Sequence, residues 1–391
     1  MRLSALALTA ALFAWPALAQ VEVQPLAAPD YFSQGSRDTG LPADLWRGTS
    51  PTVAADLIPT IGDKPLTPAA RDLAWRLMAT AAVGPEGVGR EPAMAAARIR
   101  ALLALGRPRE AWAAADRAAN LPTNPALAEA VAETALILGE DERACRVADE
   151  LSIGRGEVYW LRLRAFCQAR AGQTDAAQLT LTLASERQRD PVISRLIGAV
   201  IAGAGDPGAA SVRNGLEYAL SRRLALDVAA AKGAPAAVAA MIGGPDPVAE
   251  PAASGLAARF ARAEGRAAEL DALLLQATAA DTGVAGRHQA AVLIALALGA
   301  TPTAEQRGAI ARFAAQPSLA SPARLAALDL AADAGAQGEV ALLVLAVVVE
   351  ADGKALRAAD QARLVSALRR VGLTDAATAF AGEAFAALQV E

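Results

Sequence analysis

The side chains able to carry chemistry are few and scattered. His288 is the single histidine, and Cys145 and Cys167 are the two cysteines, so no zinc set can be assembled from them and no metal site is expected. The sequence has no G-x-S-x-G, no Ser three residues before a Lys and no G-x-x-x-x-G-K-[ST], which removes the common serine hydrolases and phosphate-cradling loops. One phosphate-binding pattern is literally present, Gly203-Ala204-Gly205-Asp206-Pro207-Gly208, with apolar residues 196–201 before it and Asp227 about twenty residues on. A dinucleotide site needs a strand, a tight turn and a helix there. Pro191 instead opens a stretch of helical length before the glycines, and no alternating strand–helix units follow. The nucleotide reading is therefore set aside and no cofactor is expected. His288 reads as a residue of a turn before an apolar helix, and Glu140-Asp141-Glu142 as acidic groups at a helix start, where the dipole favours them.

What remains is binding chemistry. Residues 157–167 (EVYWLRLRAFC) stand out in a chain that is only 4% aromatic. Tyr159, Leu163, Phe166 and Cys167 share one helix face, with Trp160 and Arg164 one step round. Two readings stay open: core packing with an Arg stacked on Trp, or a partner-binding wall. In the second, Tyr159 and Trp160 stand beside Arg162, Arg164 and Arg170, which form a rim able to hold a carboxylate or an extended peptide. Cys145 would lie on a neighbouring helix, so a Cys145–Cys167 disulfide would stiffen the same region; two buried thiols are the alternative.

The elements that must position these residues follow a beat. Gly106, Gly139, Gly172 and Gly205 recur every 33 residues, each followed five residues later by Ala111, Ala144, Ala177 or Ala210. Twelve residues after the first three come Ala118, Leu151 and Ala184; the rule fails at Glu217. Glycine tolerates the left-handed conformation that ends a helix, and a small residue at +5 lets the next helix lie close. Period, glycine and small offsets together resemble the tetratricopeptide repeat, best over residues 90–220 and again from Gly372 to Ala384. The family's aromatic positions are mostly Ala or Leu here. The resemblance implies an all-α fold, a right-handed α-solenoid of antiparallel helix hairpins, with a concave face that recognises proteins.

The later helix-ending glycines, Gly265, Gly299, Gly335 and Gly372, are spaced 34, 36 and 37 residues apart. Between the two sets lies the breaker cluster Gly243-Gly244-Pro245-Asp246-Pro247. Residues 340–349 (VALLVLAVVV) are too short to span a bilayer and read as a buried helix. Seven prolines and four glycines within 25–68 read as an irregular, extended N-terminal arm. The division expected is a signal peptide over 1–19, the arm over 20–65, tetratricopeptide-like repeats over 66–242, a breaker loop over 243–249 and a second set of hairpins over 250–391.

The address comes from the first twenty residues. Arg2 precedes an apolar run to Trp15, and Ala17-Leu18-Ala19 forms a small-x-small site, predicting cleavage between Ala19 and Gln20. No Cys follows to carry a lipid anchor. Arg far outnumbers Lys, which occurs only at Lys64, Lys232 and Lys354, and points to a GC-rich bacterial genome; the expected compartment is the periplasm, where a disulfide forms readily. Alanine, about a quarter of the chain, favours helices and argues against a β-sandwich. A net charge of -4 with no basic block argues against a nucleic-acid partner, and no stable membrane insertion is expected once the signal is removed. The function expected is a non-catalytic, periplasmic protein–protein interaction scaffold, binding a cell-envelope protein through its concave surface or its N-terminal arm. The alternative is a peptidoglycan- or glycan-associated envelope protein, related to the helical parts of murein-active enzymes. A free-standing enzyme on a helical toroid is the third possibility, and would require paired carboxylates in a deep pocket.

Overall fold

The computed structural model describes residues 30–203, 206–243, 255–262, 266–279, 281–314, 318–352 and 354–390. The signal segment and all of 243–249 except Gly243 lie outside the described residues. Among those described, every regular element is helical. The first half forms α1 (Pro51–Leu57), α2 (Pro68–Ala79), α3 (Pro92–Ala104), α4 (Pro108–Ala115), α5 (Pro125–Leu138) and α6 (Asp141–Glu150). It continues with α7 (Val158–Arg170), α8 (Thr174–Arg187), α9 (Pro191–Ala202), α10 (Gly215–Arg223) and α11 (Ala236–Met241). The second half forms α12 (Gly255–Ala261), α13 (Arg266–Ala277), α14 (Thr282–Ala297) and α15 (Ala304–Ile310). It ends with α16 (Pro322–Asp333), α17 (Gln337–Ala351), α18 (Ala358–Arg370) and α19 (Thr374–Leu388).

Local chemistry sets these boundaries. Seven helices open on proline, whose fixed φ suits the first helical position and whose missing N–H costs nothing there. Asp190 caps α9 by accepting from the Val192 and Ile193 N–H groups, at 3.1 and 3.3 Å. Linkers of two or three residues join α3 to α4, α5 to α6, α7 to α8, α16 to α17 and α18 to α19. Each pair packs together, which connections this short permit only for antiparallel neighbours. Gly106, Gly139 and Gly172 sit in the first three linkers at φ of +76°, +87° and +75°. Their +5 partners Ala111, Ala144 and Ala177 are fully buried. The beat thus marks the helix crossings over three repeats. At the fourth, Gly205 lies outside the described residues, and α9 ends on Gly203 in the left-handed region.

Stacking is sequential only in part. From α3 to α9 each helix packs on its neighbours in chain order. Beyond α9 the chain turns back: α10 packs on α5 as well as α9, and α11 lies on α3 and α5. The second half joins the first at the chain's beginning, because α2 packs against α17 and α19 while α1 packs on α17. One apolar core consequently runs from Tyr31 to Val390, with a small satellite of Ile137, Val212, Tyr218, Ala237 and Val238 under the returning segment.

The expected extended arm is folded over residues 30–65. Tyr31, Phe32, Leu45, Trp46 and Ile58 are all buried. The guanidinium of the fully buried Arg98 on α3 donates to the carbonyls of Met78, Tyr31 and Thr80 at 2.7, 2.7 and 3.0 Å. It also lies over the Phe32 ring, 5.0 Å from its centroid. Outside α1 and the short helical turn at 58–60 this backbone is irregular, and aromatic burial and one buried cation pin it to the helices. Gly338 on α17 shows how close it comes: a Cβ there would lie 2.7 Å from the Trp46 ring and 3.0 Å from the Leu45 carbonyl. The apolar run at 340–348 is buried on all sides within α17, as its composition predicts. No described helix is long and apolar enough to cross a membrane.

Candidate functional site

The two cysteines meet. Cys145 on α6 and Cys167 on α7 form a disulfide, with Cα atoms 5.6 Å apart. The bond crosses from one hairpin to the next and borders an open groove of about 420 Å³. Glu142, Arg146 and Asp149 line the groove from α6, and Gln168, Arg170 and Gln173 from α7 and the turn after it. Both signs of charge and two amides converge here.

Ion pairs organise the groove's upper end. Arg170 pairs with Glu142 and lies 4.0 Å from the Asp141 carboxylate. Asp141 also accepts from Arg222 of α10 at 2.8 Å. Burial pushes the Asp141 carboxyl up against the opposing pull of Arg222 and Arg170. The hydrogen bond from Arg170 holds the exposed Glu142 below the usual carboxylate range. The acidic residues do begin α6, as expected, but Asp141 and Glu142 act by tying α6 to α7 and α10.

The residues singled out on α7 divide between core and surface. Trp160 is fully buried, and Tyr159 meets it edge-on with ring centroids 5.0 Å apart. Arg162 is spent on the Gln188 carbonyl at 3.1 Å. Arg164 is half-buried, and no hydrogen bond or ion pair holds it among the described residues. Arg170 alone of the set lines the groove. The five residues therefore form no single rim. His288 lies inside α14 rather than in a turn before it, its Nδ1 2.9 Å from the Val284 carbonyl. Residues 196–201 belong to α9, so a helix stands where a dinucleotide site requires a strand.

A second cavity went unnoticed in the sequence. It measures about 250 Å³ and lies where α10 and α11 return onto α3 and α5. Leu103, Ile137 and Val238 contribute to its apolar wall; Arg100, Glu129 and Glu133 stand at its polar side with Arg213 and Asn214. Glu133 accepts the Gly215 N–H at the start of α10, at 2.6 Å. Its other carboxylate oxygen is fully buried, and its neighbour there is the equally buried Tyr159 hydroxyl, which favours the ionised carboxylate. Burial pushes Glu133 up to about 7 against the opposing pull of the Gly215 N–H and the Tyr159 hydroxyl, and the nearby Glu129 charge adds to the rise. Burial and the Glu133 charge likewise hold Tyr159 well above its ordinary range. The available signal was Glu129 and Glu133 at i, i+4 in the otherwise apolar α5.

Among the described residues no group of three or more His, Cys, Asp or Glu side chains is placed to hold a metal ion. Comparison with known proteins finds no matching family model, no matching curated protein and no matching solved structure.

Proposed function

We propose that the protein is an exported, non-catalytic binding scaffold of the bacterial envelope, a tetratricopeptide-like right-handed α-solenoid in its α3–α9 part. It acts in the periplasm after cleavage between Ala19 and Gln20, and its partner is a cell-envelope protein. The observation that carries this reading is the groove between α6 and α7: a mixed-charge channel braced by a disulfide and built on rigid helices. A disulfide is stable in an oxidising compartment and supports export. Extended peptides are recognised by such preformed surfaces, where charged side chains fix register and little ordering entropy is lost.

On this reading the contact surface is the groove rather than the α3–α5 face or the N-terminal arm. The face of α3 and α5 is covered by α10 and α11, and residues 30–65 are packed against the core. The groove beside the disulfide is open, and this reading takes Arg146, Asp149, Arg170 and Gln173 as its contact groups. The test is a photo-crosslinking side chain at Gln173, with the exposed Leu330 as control position, illuminated in living cells. A discrete protein adduct at Gln173, absent at Leu330 and lost in Arg146→Glu, is expected. Absence of an adduct, together with sedimentation of the purified mature protein on murein sacculi, would replace this reading with the glycan-associated one.

A further inference from the structure

The α3–α5–α10–α11 cavity carries an imbalance that the groove does not explain. Its two carboxylates, Glu129 and Glu133, project from the same face of α5. The cations beside them are committed elsewhere. Arg213 donates to Glu217 at 2.7 and 2.8 Å and to Asp190 at 2.9 Å. Arg100 donates to the Ala126 carbonyl at 3.1 Å, and its charge acts on Glu129. Glu133 is left with neutral partners, the Gly215 N–H and the buried Tyr159 hydroxyl beside it, and no cationic partner.

A buried, uncompensated carboxylate costs several kcal/mol unless a counter-charge arrives. The rest of the cavity wall is apolar, with Leu103, Ile137 and Val238 facing the same space. A divalent ion on two carboxylates would keep several of its waters, and the apolar wall of Leu103, Ile137 and Val238 offers those waters no hydrogen bonds. A volume of about 250 Å³ corresponds to roughly eight water molecules, the size of an ammonium group on four or five carbons.

We propose that this cavity binds a monovalent organic cation, a primary ammonium or guanidinium on a short apolar stem. Its charge sits against Glu133 and Glu129, and its stem against Leu103, Ile137 and Val238. Two sources offer that chemistry: a free alkylamine, or the side chain of a lysine or arginine in a partner. This site is separate from the groove beside the disulfide and stands whether or not that groove binds a protein.

Calorimetric titration of the full mature protein at pH 8, where Glu133 is ionised, tests the idea with three probes: n-butylamine, n-butanol and the capped tripeptide acetyl-Gly-Lys-Gly-amide. Saturable one-site binding of an amine-bearing probe, at least tenfold tighter than butanol, is expected. Butylamine binding alone identifies a free amine as the ligand; tripeptide binding identifies a lysine side chain. Glu133→Gln should weaken that binding at least tenfold while leaving the thermal midpoint no lower. Glu129→Gln, which removes a carboxylate outside any hydrogen bond, should weaken it two- to fivefold and provides the check should Glu133→Gln fail to fold. Equal affinity for amine and alcohol, no binding of either amine-bearing probe, or unchanged amine affinity in the folded carboxylate variants would overturn the proposal.

Discussion

Glu133 ties together three helices, and its proton is part of the bargain. It belongs to α5, accepts from the first residue of α10 and faces Tyr159 of α7. Burial raises its pKa from 4.5 to about 7, so between those two pH values the folded chain holds a proton that the unfolded chain has lost. Its contribution to stability is therefore fully present below pH 4.5 and declines as pH rises through 7, by at most about 1.4 kcal/mol per pH unit for one proton. Glu133→Gln should abolish that portion of the slope, so that variant and parent converge near pH 4 and separate in favour of the variant by pH 8. Urea unfolding at a series of pH values measures it; parallel curves for the two proteins would show that Glu133 is ionised at no cost. The sequence showed this residue as an acid in an apolar helix but not its burial, because the segment that buries it follows some eighty residues later.

At the scale of elements, the glycines of the beat offer an internal comparison. Gly139 and Gly172 occupy equivalent linkers at nearly the same positive φ. A Cβ at Gly172 would meet nothing within 4 Å, whereas one at Gly139 would lie 2.8 Å from Arg222 Nη1. Gly172→Ala should cost only the left-handed strain, about 1–2 kcal/mol. Gly139→Ala should cost more, because displacing Arg222 also weakens its bond to Asp141 and thus the hold of α10 on α6. Equal losses by thermal or urea unfolding would place no energy in the Arg222 contact. The glycines and their +5 alanines were legible because backbone conformation and helix approach act over a few residues. Where α10 and α11 settle was not, since α3 and α5, which receive them, carry alanine on most sides and present no face that marks a partner. The same limit hid the packing of residues 30–65, where prolines and glycines spoke of irregular backbone and said nothing of Trp46 against α17. The Tyr159–Arg170 segment was conspicuous for composition alone, and its residues serve both core and groove.

The whole molecule departs from a simple rod through the way its beginning meets its end. In a stack where each repeat touches only the next, stability is a sum of local terms and the two ends unfold independently. Here carboxylates from the last helices cap the first ones. Glu339 of α17 accepts the Ser50 N–H just before α1, and Glu383 of α19 accepts the Ala69 N–H in the first turn of α2, each at 2.7 Å. Both satisfy backbone donors that a helix start leaves without intrahelical partners, across separations of 289 and 314 residues. Replacing both with Ala removes two charge-assisted bonds of about 1.5–3 kcal/mol each. Hydrogen exchange followed by mass spectrometry should then show faster exchange in 50–57 and 68–79, with α17 and α19 loosened in step. The helices α5–α8, which neither carboxylate touches, should keep their protection. Loss of protection confined to the substituted helices would mean that the two halves only rest against each other. Coupled loss at both chain ends, with the disulfide-braced hairpins unchanged, is what a clasp between first and last helices requires, because the free energy of the contact is shared by both its sides.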